Sequence, residues 1–117
     1  MRKELEDRLI GFAVSVIKVL DLLDKSFVSN HLSNQLSRSV TSAALNYGEA
    51  QSAESKKDFT HKISIVLKEL RETNINLKII YRAKLIKEEN LMKKTIDESH
   101  QLVSIFHKTV LTSRKNG

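Results

Sequence analysis

A chain of 117 residues with a formal net charge of +6, no cysteine and no proline can bury a core of its own, but it lacks the turn-formers that hairpins and sandwiches need. The missing cysteine also excludes disulfides, thiolate zinc sites and thiol nucleophiles, and points to a cytoplasmic protein. Leu, Lys, Glu, Ser and Ile dominate, so the expected class is all-α, in a single domain without linkers or repeats. The charge is uneven. Residues 54–87 hold nine basic against four acidic groups, whereas residues 1–28 hold five of each.

Read at 100° per residue, Leu5, Leu9, Phe12, Val16, Val19, Leu20 and Leu23 share an arc of about 100°, which predicts a first helix over residues 4–25 with a core-facing stripe. Lys18 and Asp21 interrupt its apolar run, so a membrane span is not expected. Ile10, Val14 and Ile17 form a second apolar line, roughly 140° away. Two explanations fit: deeper burial within a monomer, or a subunit interface. The interface accounts better for so much apolar surface in a small domain.

Ser26–His31 reads as a polar connection, with Ser29 or Asn30 capping a second helix over 31–51. Its core stripe is Leu32, Leu36, Val40, Ala43, Tyr47 and Ala50, and its small residues let neighbours approach closely. Beside it run Gln35, Arg38, Ser42, Asn46 and Glu49. Arg38 and Glu49 stand about 16 Å apart along the axis, too far to pair with each other. Their stripe, including Gln35 and Asn46, is either a solvated face or a polar network with Lys62, Glu69 or Glu72 that fixes register.

Ser55 followed by Asp58 has the form of a capping box, and the third helix is expected over 56–83. Phe59, Ile63, Val66, Leu70, Leu77 and Tyr81 line its core face. Lys57, His61, Lys68, Arg71, Lys78 and Arg82 occupy a separate arc of about 100°, predicting a continuous basic ridge. Such a ridge is either simply solvated or contacts phosphates or an acidic partner. Ile65, Ile79 and Ile80 lie on a flank between core and ridge.

No glycine or proline marks the turn expected within 83–90. The fourth helix, over 88–113, presents Leu91, Ile96, Ser99, Leu102, Val103, Phe106 and Val110 inward, and Thr112–Gly117 reads as a frayed basic tail. Asp58-Phe-Thr-His61 and Asp97-Glu-Ser-His100 have the i, i+3 spacing of di-iron bundle ligands. In a hairpin turning near residue 87 they sit about 20 Å apart, so they cannot share a metal pair. No nucleophile elbow or glycine-rich phosphate loop is present. No cofactor, metal site or catalytic residue is therefore expected.

Gln35-Leu-Ser-Arg38, Asn46-Tyr-Gly-Glu49-Ala, Ser55-Lys-Lys-Asp58-Phe59 and Lys68-Glu69-Leu-Arg-Glu72-Thr73 resemble the bacterial four-helix bundle family that includes proteins encoded in 23S rRNA intervening sequences. Where family members often carry an aromatic pair, this chain has Ile75 and Asn76. The resemblance implies a homo-pentamer, and related proteins that act as accessory factors to nucleic acid or to a reverse transcriptase in diversity-generating elements. The four amphipathic segments independently predict an up-down-up-down four-helix bundle. The expected function is a non-enzymatic homo-oligomeric interaction protein. Ile10, Val14 and Ile17 would form its interface, and Lys57, Lys68, Arg71, Lys78 and Arg82 would meet RNA, DNA or a nucleic-acid-processing protein. The alternative is a structural protein-binding module with no nucleic-acid role.

Overall fold

The structure, a computed structural model, describes residues 2–116. Four helices follow one another: α1 (Arg2–Asp21), α2 (Phe27–Gln51), α3 (Lys56–Arg82) and α4 (Glu89–Asn116). They form a four-helix bundle of 44 × 23 × 21 Å, in which α2 neighbours α1 and α3, and α4 neighbours α3 and α1. Among the described residues the backbones of α1 and α3 do not approach closely, so the two helices are diagonal and their outer faces point away from each other.

The stripes converge on one core. Leu9, Phe12, Val16 and Val19 of α1 meet Leu36, Val40 and Ala43 of α2, Ile63, Val66 and Leu70 of α3, and Leu102, Phe106 and Val110 of α4. Tyr47 packs edge-on against Phe106, with ring centroids 5.4 Å apart. Met92 and Ile80 are fully buried as well. Ile80 thus belongs to the core rather than to the flank where its spacing placed it. Across the α3–α4 seam, the buried Asn74 amide donates to Ser99 Oγ at 2.7 Å, and Ser99 in turn donates to the Ile96 carbonyl.

Three helix ends differ from the sequence expectation by three residues or more, each for a local reason. α1 stops at Asp21, not residue 25: Asp21 and Asp24 are unfavourable near a helix C-terminus, and the Asp24 carboxylate instead accepts from the Ser26 N–H at 3.0 Å. That bond holds the Asp24 carboxyl below the usual carboxylate range. α2 begins at Phe27, because Ser26, not Ser29 or Asn30, is the N-cap and accepts from the Ser29 N–H at 3.2 Å. At the other end of the chain, α4 continues through Thr112 to Asn116 rather than fraying, with Arg114 and Lys115 favourably placed against the dipole of its last turn. Gly117 lies outside the described residues.

The turn between α3 and α4 needs no glycine. Lys84 adopts a left-handed conformation (φ 57°), its N–H donates to the Tyr81 carbonyl, and the Leu85 N–H reaches back to Ile80 at 3.2 Å. This is a Schellman closure, and Leu85 packs against the core as its hydrophobic contact.

Candidate nucleic-acid interface and subunit faces

Side-chain direction on α3 is set by the core stripe, which leaves Lys57, His61, Lys68, Arg71 and Arg82 exposed and Lys78 half-buried. They do not form the continuous ridge expected from spacing alone. Ile75, one turn beyond Arg71, is 59% exposed, and Ile79, one turn further, is 46% exposed. This apolar pair divides the cations into two groups because it falls on the same outer line of the helix.

The first group is joined by α4. Because the two helices run antiparallel, the start of α3 lies level with the end of α4: Thr60 and Ser113 are hydrogen-bonded through their hydroxyls, and Lys56 Nζ approaches the Asn116 carbonyl at 3.5 Å. Arg114 therefore shares a groove with Lys56, Lys57 and His61. One step along, Lys68, Arg71, His107 and Arg114 line a second groove. Arg71 Nη2 donates to His107 Nδ1 at 3.2 Å, since a guanidinium has donors only. Neither groove is lined by a carboxylate. The second group, Arg82 with Lys84 and Lys87, surrounds a groove at the other end that also contains Glu89. There the Tyr81 hydroxyl donates to Glu89 at 3.0 Å and, with Lys93, holds its carboxyl below the usual range.

Lys56, His107 and Arg114 were not part of the sequence-based candidate surface. The signal for Arg114 was available, because the hairpin register already sets residue 61 level with about residue 113.

The polar stripe of α2 faces the seam with α3, but its members do not join into one network. Glu49 accepts from Lys62 at 2.7 Å, which raises the Lys62 ammonium above its ordinary value. Asn46 bonds within its own helix, to the Ser42 carbonyl and hydroxyl. Gln35 and Arg38 line a shallow groove with Glu72, Ile75 and Asn76. Glu69 is 5% exposed, and its Oε1 is buried without a hydrogen-bond partner.

On α1 the second apolar line is open to solvent in the isolated chain: Ile10 is 51% exposed, Val14 46% and Ile17 46%. Deeper burial within the monomer, one of the two readings of the sequence, is thereby excluded. The polar flank of α1 is tied to α4, where Arg8 donates to both carboxylate oxygens of Glu98, at 3.0 and 2.7 Å, and to Gln101. Glu98 raises the guanidinium pKa through that bond.

Among the described residues no three His, Asp or Glu side chains gather into a metal-binding group, and no helix is long and apolar enough to cross a membrane. Asp58 instead helps to close its own helix start, accepting from the Glu54 N–H at 3.3 Å.

A four-helix bundle with a polar α2–α3 seam and a basic α3–α4 groove defines the class. The chain belongs to the 23S rRNA-intervening sequence protein family, whose profile matches residues 4–107. Among solved structures it is similar to a protein of unknown function from the S23 ribosomal protein family of Bacteroides thetaiotaomicron. The two share 30% identity with a TM-score of 0.79, covering 90% of this chain and 96% of that one. No functionally curated protein matches.

Proposed function

We propose that this protein is a non-enzymatic, homo-oligomeric cytoplasmic accessory factor that binds the phosphate backbone of nucleic acid along the basic α3–α4 groove. The observation that carries the reading is the gathering of Lys56, Lys57, Lys68, Arg71 and Arg114 along two adjoining grooves that no carboxylate lines. Clustered cations without local counter-charge attract phosphates and release their counterions on contact. Self-association, supported by the exposed Ile10, Val14 and Ile17, repeats the groove across the assembly and raises avidity without new contacts. The family's description refers to 23S rRNA, which makes RNA the first probe.

The test is titration of a labelled RNA duplex across a salt series. Binding should weaken steeply with salt, and Lys57→Ala/Arg71→Ala/Arg114→Ala should reduce the slope of log K against log salt by about 2 to 3. Absent or salt-insensitive binding rejects the reading. A protein-binding module without a nucleic-acid role is the second reading, favoured by the groove that Arg38 and Ile75 share. It predicts no retention of the chain on RNA or DNA at low salt.

A further inference from the structure

The groove of Lys68, Arg71 and Arg114 also contains His107, a residue type that changes charge near neutral pH. His107 is exposed on α4, and its Nδ1 accepts from Arg71 Nη2 at 3.2 Å. A ring nitrogen accepts only while it carries no proton, so this contact belongs to the neutral imidazole and occupies part of the Arg71 fork. Protonation turns Nδ1 into a donor. The contact with Arg71 is then lost, and guanidinium and imidazolium both have donors to offer an anion in the groove.

No carboxylate competes for those donors. Around His107, α3 contributes Lys68 and Arg71, and α4 contributes Arg114 two turns later and the exposed His100 two turns earlier. The carboxylates of the same stretches lie elsewhere: Asp97 accepts from Gln101, Glu98 accepts from Arg8 on the α1 side, Glu69 is buried, and Glu72 lines the groove with Arg38 on the α2 side. A positive ring here has three cations for neighbours, and an added anion is the counter-charge that the groove itself lacks.

We propose that His107 is a fourth phosphate-binding group of this groove, one that engages only as the imidazolium, so that nucleic-acid binding takes up a proton. The proposal rests on the phosphate-binding reading above and adds to it a residue and a pH dependence. One proton passes from solvent to Nδ1, the hydrogen bond from Arg71 to His107 breaks, and phosphate oxygens accept from both side chains in its place. Because the bound state holds one proton more than the free state, affinity rises as pH falls through the imidazole range.

The test titrates the labelled RNA duplex at constant salt between about pH 6 and pH 8, the interval in which an imidazole changes charge. The natural chain should bind about three- to tenfold more tightly at the lower pH. The amide oxygen of His107→Gln keeps an acceptor for Arg71 but takes no proton, so this variant should match the natural chain at the higher pH and fall behind it only at the lower. His107→Arg carries a permanent charge and should bind tightly at both. The position is exposed, and circular dichroism melts check that both variants fold. His61→Gln removes the imidazole of the adjoining groove and should leave the His107 dependence in place. A natural chain whose affinity does not change with pH, a His107→Gln variant that keeps the full dependence or loses affinity equally at both pH values, or a dependence that disappears in His61→Gln instead, overturns the proposal while leaving phosphate binding intact. Absence of RNA binding by the natural chain at either pH overturns both.

Discussion

The α3–α4 hairpin and α1 are held in contrasting ways. The hairpin is tied along its length by its own chain, although Ile75 and Ile79 stay exposed on its outer side: Asn74 reaches Ser99 in the core, Thr60 meets Ser113 at one end, and the Lys84 turn satisfies the carbonyls at the other. The α1 helix buries one stripe, ties Arg8 to Glu98 on its flank, and leaves its second apolar line to solvent. Sequence patterns in both regions look equally amphipathic, yet the hairpin is tied by hydrogen bonds in its core and at its ends, whereas α1 is tied by the partly exposed Arg8–Glu98 pair on its flank. The apolar line that the fold leaves uncovered on α1 is the surface on which the proposed self-association relies.

Mutation can break this contrast or sharpen it. The largest effect is expected at Phe106, fully buried and edge-on to Tyr47, where Phe106→Ala should cost about 3–5 kcal/mol in chemical denaturation. Next comes Ser99→Ala, which leaves the buried Asn74 amide without its hydroxyl partner and should cost about 1–3 kcal/mol. Smallest is Arg8→Ala, which removes a partly exposed ion pair and should cost less than about 1 kcal/mol. If Arg8→Ala proves as costly as Ser99→Ala under conditions where the protein is monomeric, α1 is as firmly held as the hairpin and the contrast fails.

Most of the fold was legible because the 3.6-residue period placed core residues on every helix, Leu36, Ile63 and Leu102 among them. Boundaries were less so. The start of α2 was missed because Phe27 and Val28 are 88% and 55% exposed, so no core stripe reveals that turn as helical. The α3–α4 turn carries its left-handed residue on a lysine, which no composition rule singles out. For the candidate site, one helix read alone yielded the α3 cations but neither their partner Arg114 nor the interruption by Ile75 and Ile79. Ile75 and Ile79 fall on the line of the cations and were readable from the period of α3, whereas Arg114 depends on what lies beside the helix, which only the hairpin register supplies. Burial of Glu69 was hidden for the same reason, since the seam that encloses it is built by two helices together.

Gly11 sits in the middle of α1, on its exposed side, and a methyl group added there would meet no atom within 4 Å. Glycine in a helix interior costs about 1 kcal/mol relative to alanine, and nothing inside the bundle requires the bare backbone. The solitary subunit is thus less stable than its own architecture permits, and α1, the helix with the open apolar line, is where that reserve lies unused.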